Sequence, residues 1–138
     1  MAVFDILHPG HVQYLKESSE LGDRFIVLLN TDEWIKKNKR EPVIKQEDRK
    51  YVLEAFDFID EVILFDTNEE KDKLLRELKP EIFTKACKFN EYSNPDKLLE
   101  SSTIKELGGE IVIISSKYPQ YSTTAIIEKL QATNSKSE

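Results

Sequence analysis

Four short runs of β-prone apolar residues, at 25–29, 61–65, 82–84 and 111–114, alternate with stretches of helical periodicity, and nothing else in the chain constrains its fold as strongly. Phe25-Ile26-Val27-Leu28-Leu29 is apolar without a break, the pattern of a strand covered on both faces, as in a parallel sheet. The intervening stretches carry helix punctuation. Val12, Leu15 and Leu21 share a helix over 12–21 that Gly22-Asp23 stops, and Val52, Leu53 and Phe56 share one over 47–58. Thr67 and Glu70 form a capping box for a helix carrying Leu74, Leu75 and Leu78 that Pro80 ends, and Asn94-Pro95 opens one that Gly108-Gly109 stops. A last helix starts near Ser122, while the polar, basic stretch 30–46 reads as a loop or short helix. The expectation is an α/β fold: a mostly parallel, doubly wound sheet with helices on both faces and a ligand crevice at the carboxyl ends of its strands.

Length and charge narrow the possible functions. The 138 residues suffice for one domain, expected over 1–132, with a polar tail over 133–138. A net charge of -6 argues against a nucleic-acid or anionic-membrane partner, since both require a basic surface. One cysteine, no apolar run of membrane-spanning length and no charged-then-apolar leader lead us to expect a cytoplasmic protein.

The chemistry is concentrated at Phe4-Asp5-Ile6-Leu7-His8-Pro9-Gly10-His11, where two histidines flank a glycine at a helix start. A helix N-terminus presents N–H groups that lack helical partners, together with a partial positive charge, and Gly10 lets an anion approach the backbone. Two further readings stay open: a pair of structural histidines at a cap, and a metal site, for which these two, the only histidines present, would need further ligands. Ser122-Thr123-Thr124 places three hydroxyls at the start of the last helix, which an ordinary N-cap also explains. Lys36, Lys37, Lys39 and Arg40 form the densest positive cluster, either a solvated face or a phosphate site.

The histidine segment resembles the H-x-G-H signature of the cytidylyltransferase-like nucleotidyltransferases. The similarity runs from Phe4 to about Gln131 and is strongest to the branch that adenylylates heptose 1-phosphate. Asn30-Thr31-Asp32 resembles that branch's N-S-D triplet, Lys79-Pro80-Glu81-Ile82-Phe83-Thr84-Lys85 its K-P-D segment, and Ser122-Thr123-Thr124-Ala125-Ile126 its S-T-T-x-I element. The resemblance implies a Rossmann-like, five-stranded sheet and transfer of AMP from ATP to a sugar phosphate with release of pyrophosphate. It further implies His8, His11 and Lys39 as catalytic residues, and Phe4, Asp5, Gly10, Lys85, Ser122, Thr123 and Thr124 around the nucleotide. Asp32, Lys36 and Arg49 would lie at the acceptor or its phosphate, although an Asx turn at Asp32 and a surface ion pair of Arg49 with Glu47 or Asp48 explain those two equally well. Mg²⁺ would be held mainly by nucleotide phosphates, with no protein metal ligands, and a homodimer is expected.

The chain also departs from the family. Only Met1-Ala2-Val3 precede Phe4, which leaves a stub for the first strand, and Ala86, Cys87 and Lys88 stand where the branch has two glycines and an acid. Lys88 reverses a charge near the base or ribose, so CTP remains possible as the nucleotide, with glycerol 3-phosphate or a similar polyol phosphate as acceptor. Two alternatives stay open: FMN as the acceptor, as in related branches, and a nucleotide-binding module that lacks turnover, which Ala2, Lys88 and the short first strand motivate.

Overall fold

The computed structural model describes residues 4–87 and 98–136. The elements run α1 (Pro9–Ser19), β1 (Ile26–Asn30), α2 (Asp32–Asn38), α3 (Gln46–Glu54), β2 (Glu61–Phe65), α4 (Asn68–Leu78), β3 (Ile82–Cys87), α5 (Ser101–Glu106), β4 (Glu110–Ser115) and α6 (Thr123–Lys136). The chain is α/β, with β1 paired parallel to β2 from Ile26–Glu61 to Asn30–Phe65, and β3 paired parallel to β4 from Ile82–Glu110 to Cys87–Ser115.

Both faces of β1 are buried, because successive side chains of a strand point to opposite sides. Val27 and Leu29 join Tyr14 and Leu15 of α1 and Leu53 of α3 in one core, whereas Leu28 joins Phe65, Leu75 of α4, Phe83 and Ile104 of α5 in another. This is the two-sided burial expected of the uninterrupted run at 25–29.

The expected single sheet of five strands is not what the described residues form: they hold four strands in two two-stranded sheets. Among the described residues β1 and β3 are each paired on one side only. A slot of about 400 Å³ lies between them, lined by Ile26 and Leu28 of β1, Phe83 of β3, Leu15 of α1 and Leu75 of α4, with Phe4 beside it. The stub at residues 1–3, the N-cap at Asn94-Pro95 and Lys88 lie outside the described residues.

Local chemistry explains the helix boundaries. α1 starts at Pro9, earlier than the periodicity indicated, because the His8 side chain caps it and proline suits the first helical position. Thr31 caps α2 by accepting from the Trp34 N–H at 3.3 Å, which turns part of the basic stretch into a helix. Thr67 accepts from the Glu70 N–H at 3.1 Å, but the Glu70 carboxylate reaches back to the Asp66 N–H at 2.7 Å, so the expected box closes one residue early. α3 ends at Glu54, short of Phe58. Leu98 and Leu99 precede α5 and are not part of it. Gly109 ends that segment where a Cβ would lie 2.7 Å from the Pro80 carbonyl oxygen.

Candidate active site

The His8-Pro9-Gly10-His11 turn is held by its own side chains. His8 Nδ1 accepts from the Gly10 N–H at 3.1 Å and His11 Nδ1 accepts from the His8 N–H at 3.3 Å, a reciprocal cap built from imidazoles. The two rings stack with centroids 3.8 Å apart, and Phe4 packs edge-on to His11 at 5.2 Å. A nitrogen that accepts an N–H carries no proton, so each neutral ring bears its hydrogen on Nε2. Burial lowers the His8 pKa, and burial together with the charges of His8 and Lys39 pushes His11 down to about 4, against an opposing interaction with the Ile6 carbonyl. The pair is therefore neutral at pH 7, and with the His11 N–H directed to the Ile6 carbonyl it is His8 that can offer an N–H donor. Gly10 is required beside it, since a Cβ there would lie 2.8 Å from the His8 ring.

The start of α6 meets this turn. Thr123 Oγ1 donates to the Ile6 carbonyl at 3.2 Å, Ser122 Oγ caps α6 by accepting from the Ala125 N–H at 3.0 Å, and the Tyr121 ring lies 6.5 Å from His8. Gln13 fixes the approach: its Nε2 donates to the Ser115 carbonyl at 2.9 Å and its Oε1 accepts from the Lys117 N–H at 2.8 Å. Thr124 is exposed. Two helix N-termini, of α1 and α6, are thus held side by side, and each favours an anion.

The basic segment is tied to the same place by Asp5. This buried carboxylate accepts from Arg40 Nη1 at 2.7 Å, the Val43 N–H at 2.9 Å and the Ile44 N–H at 2.8 Å. Asp5 is occupied within the protein, so it anchors the loop that follows Lys39. Lys39 itself is exposed at the C-cap of α2, and its charge is felt by both His11 and Lys85. Lys36 faces Glu33 on its own helix at 3.6 Å.

Arg49 is enclosed, with its side chain at 0 % exposure. Its guanidinium donates to the carbonyls of Ile44 at 2.9 Å and Asn30 at 2.8 Å and to Asp32 Oδ1 at 2.8 Å. The ion pair with Glu47 or Asp48 that adjacency suggested gives way to Asp32, which also donates its backbone N–H to Gln46 at 2.9 Å. Arg49 thus joins the end of β1, the 40–44 loop and α3.

Lys85 lies near the C-terminal end of β3, 3.7 Å from Glu100. β3 is joined to α1 by Tyr14, whose hydroxyl donates to the Thr84 carbonyl at 2.9 Å, and by Ser18 Oγ, 2.9 Å from Thr84 Oγ1. Glu100, Gln13 and Tyr121 were not singled out in the sequence, because an acid, an amide and a tyrosine in polar segments carry no spacing signal. Among the described residues no group of three or more His, Cys, Asp or Glu side chains could hold a metal ion, and Asp5 and Asp32 are engaged by arginines.

The cytidylyltransferase-like family matches residues 2–129. The chain belongs to that family, as the H-x-G-H resemblance anticipated. This cytidylyltransferase-like chain is 35% identical over 130 residues to the bifunctional protein HldE of Desulfatibacillum aliphaticivorans, covering 93% of the chain and 25% of that protein. It therefore spans about a quarter of the length of such relatives. It is also 36% identical over 121 residues to the FAD synthase of Pyrococcus abyssi, covering 84% of the chain and 76% of the synthase. A crystal structure of the lipopolysaccharide core biosynthesis protein from Thermoplasma volcanium GSS1 superposes with a TM-score of 0.66 and 31% identity, covering 84% of the chain and 91% of that structure.

Proposed function

We propose that this chain is an adenylyltransferase that moves AMP from Mg-ATP to a phosphorylated acceptor and releases pyrophosphate, with a heptose 1-phosphate-like sugar phosphate as the acceptor. The observation that carries the reading is the Thr123–Ile6 tether, which seats the N-terminus of α6 against that of α1 beside the His8–His11 pair. A triphosphate lying across both ends would meet backbone N–H groups, hydroxyls and a neutral imidazole N–H donor. Phe4 and Gly10 would shape that cradle, with Ser122, Thr123 and Thr124 at the outer phosphates and Lys85 at its far side.

An acceptor phosphate is already ionised at neutral pH, so its oxygen can attack the α-phosphorus without a general base. The P–O bond to pyrophosphate breaks as the new one forms. His8, His11 and Lys39 stabilise the charge that develops on the five-coordinate phosphorus, and rate comes from in-line positioning and electrostatics. Asp5 and Arg49 act indirectly, by fixing the loop that carries Lys39 and the carboxylate of Asp32; Asp32 and Lys36 would lie toward the acceptor. Magnesium enters as part of the triphosphate substrate.

FMN is the second candidate acceptor, favoured by the likeness to an FAD synthase of which the chain covers 76%. CTP with a polyol phosphate stays a third pairing because of Lys88. Pyrophosphate release from Mg-ATP is to be measured with heptose 1-phosphate and with FMN, for wild type and His11→Ala. Release that requires His11 and one of these acceptors supports the reading. Silence with both, and with CTP and glycerol 3-phosphate, despite measurable ATP binding, replaces it with a nucleotide-binding module.

The same reading takes the domain as 1–132, the compartment as the cytoplasm and the assembly as a homodimer, to be checked by sedimentation. It also takes the slot between β1 and β3 as the seat of a fifth, central strand. More amides of β1 would then exchange slowly than a strand paired on one side protects, since one-sided pairing leaves alternate amides open to solvent.

A further inference from the structure

Two lysines converge on one buried carboxylate, one of them from near the C-terminal end of β3. Glu100, in the turn before α5, accepts from Lys71 Nζ of α4 at 2.6 Å, and the two side chains are 3 % and 5 % exposed. Lys85 Nζ lies 3.7 Å from the same oxygen, at 22 % exposure. The second carboxylate oxygen is buried and has no hydrogen-bond partner among the described residues.

Stability does not account for this arrangement. A buried ion pair recovers its desolvation only when the remaining lone pairs are satisfied, and here one oxygen is left over while a second ammonium waits beyond hydrogen-bond distance. A carboxylate with one oxygen unused, and a second lysine near its other oxygen but not locked to it, suits a lysine that must leave for an anion and return.

We propose that Glu100 is a positioning residue for Lys85, keeping its ammonium charged and at hand near the end of β3 so that it can meet the triphosphate. The inference rests on the adenylyl-transfer reading of the crevice. Among the described residues, the charged groups that face Lys85 are Glu100, Lys71 of α4 and Lys39 of α2. Burial pulls the Lys85 pKa down and both lysines add to the fall, with Glu100 the one group holding it up. Burial raises the Glu100 pKa, but the charges of Lys85 and Lys71 and the bond from Lys71 outweigh it and keep the carboxylate ionised. Without Glu100, Lys85 would lose its proton at lower pH.

Glu100→Gln alone would bury Lys71 without a counter-charge, so the test compares Lys71→Met, which keeps the Glu100–Lys85 contact, with Lys71→Met/Glu100→Gln, which buries no orphan ammonium. The dissociation constant of Mg-ATP is measured from pH 6 to 10 for wild type and both variants. We expect the alkaline loss of binding to begin at lower pH in the double variant, by about one unit, equivalent to about tenfold weaker binding on that limb. Adding Lys85→Arg to the double variant should restore the limb, because a guanidinium stays charged without help.

Superimposable curves for the two variants, with normal ATP binding by wild type, would overturn the role of Glu100 and leave adenylyl transfer standing. Failure of arginine to rescue a shifted limb would overturn it equally. Wild type that binds no triphosphate overturns the underlying reading, and the role of Lys85 with it.

Discussion

Thr123 Oγ1 donates to the carbonyl of Ile6 at 3.2 Å, a bond between residues 117 positions apart that sets the start of the last helix against the loop feeding the first. Thr123→Val keeps the shape of the side chain and removes the donor. Urea unfolding should show a loss of about 1 kcal/mol, the net value of one such bond, while the KM for ATP rises several-fold. An unchanged KM would mean that the α6 terminus does not meet the nucleotide.

Asp5→Ala should cost on the order of 3 kcal/mol in urea unfolding, because it leaves Arg40 and the Val43 and Ile44 N–H groups without their common acceptor. Turnover should fall too, since the released loop carries Lys39. Asp5→Asn should recover part of the stability through its remaining carbonyl oxygen.

Arg49→Met tests the second brace. The substitution leaves the Asn30 and Ile44 carbonyls and the Asp32 carboxylate without this donor, and a loss of about 3 kcal/mol in thermal or urea unfolding is expected. If Arg49 instead contacts phosphate, Arg49→Lys would fold normally and lose only affinity.

Gly10→Ala separates catalysis from folding. Its Cβ would lie 2.8 Å from the His8 ring, so the imidazole must shift from its stacked position. Circular dichroism should be unchanged, and pyrophosphate release should drop by at least tenfold, as small misplacements of positioned groups do. Wild-type rates in this variant would remove the stacked pair from the mechanism.

The low pKa of His11 also links stability to pH. The folded chain holds this ring neutral down to about 4, whereas the unfolded chain binds the proton near 6.5. Its contribution is complete above 6.5 and is lost as pH falls toward 4. Urea midpoints measured from pH 7.5 to 4.5 should fall more steeply for wild type than for His11→Gln, and equal slopes would contradict the buried, neutral assignment.

Much of the scaffold was readable without the tertiary structure. The 61–65 strand matches its expected bounds, and the two-sided burial of β1 follows from the unbroken apolar run at 25–29. Helix boundaries were less so: α1 begins at a histidine cap, for which composition offers no rule, and in the stretch left open between loop and short helix a threonine cap starts α2 at Asp32. The histidine turn was legible because all its parts lie within four residues.

The sequence by itself determined the α/β alternation, the family and the helix start at the histidine pair, since these depend on periodicity, caps and neighbours within a turn or two. Only the tertiary structure decided that Asp5 and Arg49 are braces, that the charge of Lys39 reaches His11, and that Glu100 stands between Lys71 and Lys85. The physical reason is that charge pairing in a core depends on which side chains are brought together and denied water. Asp5 finds Val43 across 38 positions and Glu100 finds Lys71 across 29, and no local pattern carries that information.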